Sequence, residues 1–331
     1  MQVGKLPTDQ LSQLLTGRLG TPRPDVLLAP GIGEDSGIVD FGDEVCVVST
    51  DPITGSVTNG GWLAVHVSCN DVAANGGEPV GIQLALLWPS GSDSSALRKV
   101  MDDAHRACDE LGIAILGGHT EVLSSIQDPI IVCTALGRCP KDKYVTSTGQ
   151  RVGDTVLLVK AVGLEGSAIL ALEHGDQLGN VPDDLIAAAK GYLGEISIVK
   201  EALAARDAGV TAMHDVTEGG LYGACLELVQ ASGKGIRLYQ EQVPIRPATR
   251  AICRELGLDP LGLISSGALL VTTADPDSVV AAVQACGSEV SPIGEVMETP
   301  SLQLVQADGS VRGLSGFYED ELWRWLRTQR G

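Results

Sequence analysis

Acidic side chains are concentrated at both ends of a short apolar stretch within residues 30–51. The acids are Glu34, Asp35, Asp40, Asp43, Glu44 and Asp51. Clustered carboxylates either bind a hard cation or occupy the turns at the ends of a β-hairpin. Their spacing does not fit a calcium-binding loop, which needs alternating ligands and a glutamate at the twelfth position. The residues alone leave a cation site and hairpin turns equally open.

The glycines among these acids do not match a common nucleotide-binding loop. Gly31, Gly33 and Gly37 have the wrong last spacing for GxGxxG, and they lead into a predicted strand rather than a helix. The sequence also contains no GxxxxGK[ST] pattern. Neither a dinucleotide fingerprint nor a P-loop is therefore indicated.

A predicted helix over residues 61–77 carries polar side chains on a buried face. Leucine, alanine, valine, histidine, asparagine and aspartate recur at helical spacing, beside a second apolar stripe. A helix that is apolar on most sides is buried, so His66, Asn70 and Asp71 need polar partners. For Asp71 the partner is either a cation or, together with Asn70, the backbone of a loop.

Two other segments combine glycines with polar residues. "GGHTEV" (117–122) follows a strand predicted over residues 112–118, and glycine lets a ligand approach the backbone closely. His119 in that motif is more often structural than a ligand, and Glu121 adds a carboxylate. Farther along, Asp215 or Thr217 can cap a helix, whose amides at Gly219-Gly220 are of the kind that bind phosphate.

Composition limits the function. The chain has 331 residues, a net charge of -19, 44% hydrophobic residues and a mean hydropathy of +0.16. The charge argues against nucleic acid or an anionic membrane as a partner. We find no signal peptide and no apolar run long enough for a membrane helix. The eight cysteines lack zinc-site spacing and indicate a cytoplasmic protein.

The elements that must position these residues alternate between strands and helices, which predicts an α/β or α+β fold. Strands are expected at 44–50, 80–88 and 129–137, with helices at 61–77 and 94–111. The polar, turn-rich stretch 138–154 is the best boundary, which gives domains 1–145 and 146–331. From there to about residue 232 we expect one strand and then helices. The final segment 316–331 is predicted to be a helix that packs down.

Taken in order, the motifs resemble the AIR synthase (PurM-like) superfamily, most closely its HypE-like hydrogenase-maturation branch. The resemblance is carried by "GIGEDSGIV", "STD", "NDVAANGGEPVG", "GGHTEV", "HDVTEGGLYGA" and "DPLGLISSGALLV", between about residues 25 and 310. It implies two α/β domains and a homodimer in which the N-terminal domains build a shared β-barrel. It also implies binding of ATP with Mg²⁺.

The resemblance assigns roles to individual residues. Metal ligands are expected at Glu34, Asp35, Asp51 and Asp71. Nucleotide contacts are expected at Gly31, Gly33, Thr50, Asn70, Gly117, Gly118, Thr120, Gly219 and Gly220. Asp71, His119 and Asp215 are the catalytic candidates. Because Mg²⁺ bridges carboxylates to phosphates, the acids around residues 34–51 are then one wall of a Mg-nucleotide site.

Three departures from the family pattern bear on function. His119 stands where aspartate is common, and Glu218 stands where arginine is common. HypE proteins end in a cysteine that carries the reacting group, whereas the last cysteine here is Cys286. We therefore expect no carbamoyl or cyano group on this protein's own thiols.

The expected function is ATP- and Mg-dependent activation of an amide or oxygen acceptor by phosphoryl transfer. One alternative is a nucleotide-binding accessory protein in metalloenzyme maturation, with a protein partner and little turnover. Another is a small-molecule kinase resembling thiamine-monophosphate kinase. Release of ADP with and without an acceptor or a partner distinguishes the three.

Overall fold

The computed structural model describes residues 5–54 and 59–329, and the chain divides into two units. The smaller unit comprises Arg23–Ala29 and Asp35–Tyr144. The larger unit comprises Met1–Pro22, Pro30–Glu34 and Val145–Gly331. The division thus falls next to the expected boundary at residue 145, but two N-terminal stretches belong with the later part of the chain.

The smaller unit is a six-stranded sheet with two helices. Its strands are β1 (Val26–Leu28), β2 (Gly37–Asp40), β3 (Glu44–Thr54), β4 (Glu78–Pro89), β5 (Ala114–Leu123) and β6 (Ile130–Pro140), in the order β1-β2-β3-β6-β4-β5. The helices are α2 (Gly60–Ala74) and α3 (Ser94–Leu111). All strand pairs are antiparallel except β4 and β5, which are joined through α3 and run parallel.

Helix α2 is the core of the smaller unit. All of its residues are buried, and it contacts α3, β3 and β6. It approaches α3 so closely that a Cβ on Gly61 would lie 2.0 Å from the Val100 carbonyl oxygen. Glycine at this position therefore permits the packing that buries α2 and its polar side chains.

The edge strand β5 is exposed along almost its whole length, and only Leu123 is half-buried. Its register with β4 is regular after a shift near Gln83 and runs to the pair Pro89 and Leu123. The motif 117–122 therefore lies inside a strand, and the expected end of the strand at residue 118 is wrong. The pairing continues because Gly118, without a Cβ, can sit against the Leu84 carbonyl.

The larger unit contains a seven-stranded sheet flanked by helices. Its strands are β7 (Thr155–Val159), β8 (Ala212–Val216), β9 (Gly235–Tyr239), β10 (Ala268–Thr273), β11 (Val290–Met297), β12 (Leu302–Val305) and β13 (Val311–Leu314), in the order β13-β12-β9-β11-β7-β10-β8. The helices are α1 (Thr8–Leu15), α4 (Leu164–Glu173), α5 (Asp183–Gly191), α6 (Val199–Ala208), α7 (Gly220–Ser232), α8 (Pro247–Leu256), α9 (Pro276–Ala285) and α10 (Glu321–Gln329).

The core of this unit forms where α7 packs on the sheet. Leu221, Tyr222, Cys225 and Leu228 of α7 are buried against strand residues such as Leu270. This spacing is that of one helical face.

The predicted α/β class with two domains is confirmed, whereas the dimeric barrel concerns a second chain and stays a prediction. Two local predictions are wrong. β8 lies in the stretch expected to be helical, and α10 begins at Glu321 rather than near residue 316 because Asp320 accepts a hydrogen bond from the Leu322 amide. Residues 330 and 331 of that predicted helix lie outside the described residues. Within the described part of the chain, no helix has the length and apolarity needed to cross a membrane.

Candidate functional site

The distal end of β3 presents a hydroxyl and a carboxylate. Thr50 is exposed and Asp51 is half-buried, opposite Thr134 and Cys133 of β6. The hydroxyls of Thr50 and Thr134 lie 2.9 Å apart, so the two strands are also linked through their side chains. Because side chains alternate along a strand, these two hydroxyls lie on the opposite face of the sheet from Asp51.

Asp71 of α2 is directed toward the same strand. Its Oδ2 accepts a hydrogen bond of 2.5 Å from the Ser49 hydroxyl, and both side chains are buried. Ser49 is a neutral donor, and an ionised carboxylate has acceptor sites for further ligands. Asn70 is also buried on α2. Sequence reasoning expected a cation or a loop backbone as the partner of Asp71 and missed this strand hydroxyl. A cation at Asp71 stays a prediction.

Asp35 belongs to this end of the hairpin by register. Gly37 pairs with Val48, so the antiparallel pairing, continued outward by two residues, takes Asp35 to the level of Thr50. Continued that far, the register places Asp35 on the face of the hairpin that carries Thr50, whereas Asp51 shares its face with Ser49, the partner of Asp71. That these three carboxylates share one Mg²⁺, which prefers hard oxygen ligands, therefore stays a prediction.

The motif on β5 lies elsewhere in the same sheet. In the order β3-β6-β4-β5, β5 is three strand spacings from β3, about 14 Å along the sheet. His119 is largely exposed, and its Nε2 lies 3.7 Å from Glu121 Oε2. A Cβ on Gly117 would meet nothing within 4 Å. Gly117, Gly118 and Thr120 therefore line an open edge and not the β3 end.

Glu34 and the preceding glycines belong to the larger unit. Glu34 Oε2 accepts a hydrogen bond of 3.3 Å from the Ser147 amide. Gly33 has a φ of +77°, and a Cβ there would lie 2.6 Å from the Glu227 carbonyl oxygen of α7. Gly31 is exposed. The glycine at position 33 thus has a packing reason, and the roles predicted for Glu34 and the glycines stay predictions.

The second di-glycine, Gly219-Gly220, is closely packed at the start of α7. A Cβ on Gly220, whose φ is +59°, would lie 2.6 Å from the Leu261 carbonyl oxygen. Asp215 is buried within β8, opposite Leu269. The prediction that Asp215 or Thr217 caps α7 is wrong. The N-cap residue is Gly219, which has no side chain that could accept a hydrogen bond from the first turn.

Asp320 takes the capping position instead. Its Oδ2 accepts a hydrogen bond of 2.7 Å from the Gly219 amide, and its Oδ1 accepts one from the Leu322 amide. Burial raises the pKa of Asp320 more than these amides lower it, and the pKa stands at about 7. A phosphate could reach the Gly219 amide only after this carboxyl had moved. Nothing in the local sequence signals a cap that lies 101 residues away.

An ionic chain in the larger unit was also missed by sequence reasoning. Lys5 pairs with Glu227, and Glu227 Oε2 lies 3.0 Å from Nε2 of His214. The backbone amide of Lys5 donates to Glu218 Oε1 at 2.6 Å. Glu218, one of the departures from the family pattern, therefore contacts the N-terminal segment.

The cysteines differ in exposure. Burial raises the pKa of the Cys133 thiol to about 12, and Cys69 and Cys225 are equally buried. Cys46 is half-buried rather than buried, and Cys286 is exposed. The expected absence of carbamoyl and cyano groups on the thiols therefore stays a prediction. Cys286 tests it most directly, because its thiol is exposed.

Comparison with family models identifies the class of protein that this fold defines. The N-terminal domain of AIR synthase related protein matches residues 33–139, and its C-terminal domain matches residues 151–306. The chain belongs to the AIR synthase related family.

Curated relatives narrow the comparison to hydrogenase-maturation proteins. A carbamoyl dehydratase HypE of Cupriavidus necator is 31% identical over 72% of this chain and 68% of its own length. A putative hydrogenase expression/formation protein of Methanocaldococcus jannaschii is 29% identical over 75% of both chains. The chain is thus similar to HypE proteins over most of their length.

Solved structures share the fold. A HypE–HypF complex has a TM-score of 0.75 at 20% identity, covering 92% of this chain and 99% of that chain. A ThiL complexed with AMPPCP and TMP has a TM-score of 0.73 at 21% identity, covering 94% of each. A HypE in complex with ATP has a TM-score of 0.69 at 22% identity, covering 97% and 98%.

Proposed function

We propose that this chain is an ATP- and Mg-dependent enzyme that activates the oxygen of a carbamoyl or amide group by phosphoryl transfer, in hydrogenase maturation. The observation that carries the proposal is the buried hydrogen bond of Asp71 with Ser49 of β3, two residues before Asp51, in a chain of the AIR synthase related family. HypE relatives that are carbamoyl dehydratases support the reaction class, and the HypE–ATP complex supports the nucleotide.

In this proposal the smaller unit binds the magnesium and the nucleotide. Mg²⁺, when bound, neutralises phosphate charge and polarises the transferring phosphoryl group. Asp35, Asp51 and Asp71 would hold the cation, with Ser49 orienting Asp71 by its hydrogen bond. The residues present fit a hard cation because all of these donors are oxygen atoms.

We further propose a homodimer that forms through β5. The strand is at the sheet edge and exposes Ile115, Leu116 and Val122 by 37%, 52% and 63%. An exposed apolar edge strand favours pairing with another strand. Such pairing also covers the open side of Gly117. The HypE–HypF complex supports a maturation protein as an additional partner, and eight free cysteines support a cytoplasmic location.

The proposed activity is tested by ADP release from the purified full chain with Mg²⁺ and ATP. Acceptors are added one at a time: a carbamoyl compound, an amidine, or thiamine monophosphate. Acceleration by the carbamoyl or amide class supports the proposal. Phosphate transfer to thiamine monophosphate alone would replace it with a kinase. No ADP release with any acceptor or with a HypF-type partner would reduce the chain to a nucleotide-binding protein.

A further inference from the structure

In the N-terminal segment, Lys5 makes two contacts, one with the residue stretch just before α7 and one with α7 itself. Lys5 donates its backbone amide to Glu218 and its ammonium to Glu227, residues that lie more than 200 positions later in the chain. By contrast, α1, which follows Lys5, buries none of its residues. The contacts of Lys5 therefore fix the start of the chain on α7 without adding to the core.

Glu227 is the buried centre of this contact. Its side chain is 12% exposed, and it lies between the Lys5 ammonium and the His214 ring. Burial alone raises the pKa of Glu227, but the His214 hydrogen bond and the Lys5 charge lower it to about 2. Glu227 is therefore ionised at neutral pH, and a buried carboxylate of this kind needs both partners.

His214 connects Glu227 to Asp215. Its Nε2 lies 3.0 Å from Glu227 Oε2, and its Nδ1 lies 3.8 Å from Asp215 Oδ1. The second distance is beyond hydrogen bonding but short enough for a charge interaction. A carboxylate bound to one ring nitrogen fixes the orientation of the ring and thus the position of the other nitrogen.

We propose that Lys5 and Glu227 are positioning residues that hold the His214 ring in place beside Asp215. This inference rests on the proposed function and adds to it Asp215, the catalytic candidate that the family resemblance assigns in the larger unit. Lys5 acts through Glu227, and Glu227 acts through the ring, so neither residue touches the reacting atoms. In this proposal the N-terminal segment, through Lys5, helps to position the His214 ring beside Asp215.

The contact explains the residue at position 218. The family resemblance leads to an expectation of arginine there, and an arginine would repel the ammonium of Lys5 and remove the acceptor of its amide. Glutamate instead binds the start of the segment. Glu218, just before α7, and Glu227 on α7 thus both bind Lys5 through their carboxylates.

The experiment compares Lys5→Ala, Lys5→Arg and Glu227→Gln in the full chain. Lys99→Ala is the matched control, because Lys99 also pairs with a buried carboxylate, Asp103, at 3.1 Å. Steady-state ADP release gives kcat and the KM for ATP. Imidazole ¹⁵N spectra report on the five histidines, with His214 assigned from His214→Gln.

Lys5→Ala and Glu227→Gln should lower kcat by about 10-fold or more, as expected for a lost orienting partner, while the KM for ATP stays within about twofold. Both should shift the His214 ring signals, Lys5→Arg should restore most of the kcat, and Lys99→Ala should change neither quantity. The melting temperature of Lys5→Ala should fall, because the buried Glu227 carboxylate loses one of its two partners. Lys99→Ala, which removes a partner of the buried Asp103, controls for a loss of stability of the same kind.

A wild-type kcat in Lys5→Ala would overturn the inference, and so would a reduced kcat with unchanged His214 signals. If the wild type itself releases no ADP, the proposed function fails instead. The ring signals alone then decide whether Lys5 positions His214, and unchanged signals would overturn that as well.

Discussion

Two adjacent-glycine motifs in this chain differ in how far the protein itself covers them. Gly117-Gly118 lies on the exposed edge strand β5, where the Leu84 carbonyl presses on Gly118 but the Cβ side of Gly117 is open. Gly219-Gly220 begins the buried helix α7, where the Leu261 and Leu263 carbonyls press on Gly220 and Asp320 accepts a hydrogen bond from the Gly219 amide. Gly117 is available to a ligand or a second chain, whereas both glycines of the second motif are engaged by the protein itself.

This difference shows that a glycine pair after an apolar strand does not by itself identify a phosphate site. Glycine allows close approach, and the approaching group can be a ligand or the chain's own backbone. In the larger unit the approaching groups are carbonyls and a carboxyl from distant segments. In the smaller unit the Leu84 carbonyl approaches Gly118, and only the Cβ side of Gly117 is open to a group from outside.

The largest expected effect is on stability at the filled motif. Gly220→Ala places a Cβ 2.6 Å from a backbone carbonyl at a φ of +59°. We expect a loss of about 5 kcal/mol in unfolding free energy, or failure to fold, since both strain and a backbone clash contribute. Gly117→Ala is the control, because its φ of +157° adds strain but a Cβ there would meet nothing within 4 Å, and it should cost about 1 kcal/mol. Urea unfolding measures both, and equal losses would remove the contrast between the motifs.

Asp320 should make stability depend on pH. Its pKa is about 7 in the folded state against 3.8 as the ordinary value. The folded state therefore holds the proton more tightly, and stability is lost as the pH rises from about 4 to 7. Relative to Asp320→Asn, the wild type should lose at most about 4 kcal/mol across this window.

Glu227→Gln provides the control for that pH dependence. The pKa of Glu227 is lowered to about 2, so its contribution is fully present above pH 5 and is lost only at lower pH. Urea unfolding at pH 5 and pH 8 should therefore separate Asp320→Asn from the wild type and leave the Glu227→Gln difference constant. Parallel curves for Asp320→Asn and the wild type would contradict the raised pKa.

A smaller effect is expected on self-association at the open edge. Val122 on β5 and Val311 on the edge strand β13 are exposed by 63% and 57%. Val122→Lys should weaken the proposed dimer by about 10-fold or more in Kd, because charges on an edge strand oppose strand pairing. Val311→Lys should leave it unchanged. Light scattering at micromolar concentration measures both, and a wild-type monomer would refute the dimer.

Local periodicity was enough to predict much of this architecture. The apolar stripes of α2 and the alternation in β3 gave the right elements, because burial repeats at their periods. The buried position of Asp71 also followed, since it lies on the apolar helix 60–74. The family resemblance supplied what periodicity could not, namely a prediction of which acids share a metal.

Pairs that are distant in sequence could not be predicted. The cap of α7 by Asp320 and the contact of Lys5 with Glu227 join segments 101 and 222 residues apart. The strand character of 117–122 was missed for a related reason, because two glycines locally favour a turn and only the pairing with β4 keeps them extended. In each case the structure depends on contacts between segments that are distant in sequence, which local sequence patterns do not show.

The most direct test of the account is the stabilisation of the protein by ATP with and without Mg²⁺. ATP at about 100 times its Kd should add about 2.7 kcal/mol, and only when the cation is present. Asp71→Asn should remain folded and lose most of this gain. Asp43→Asn, in the exposed turn between β2 and β3, should keep it. A full ATP-dependent rise in melting temperature in Asp71→Asn, or one that persists in EDTA, would contradict the magnesium site.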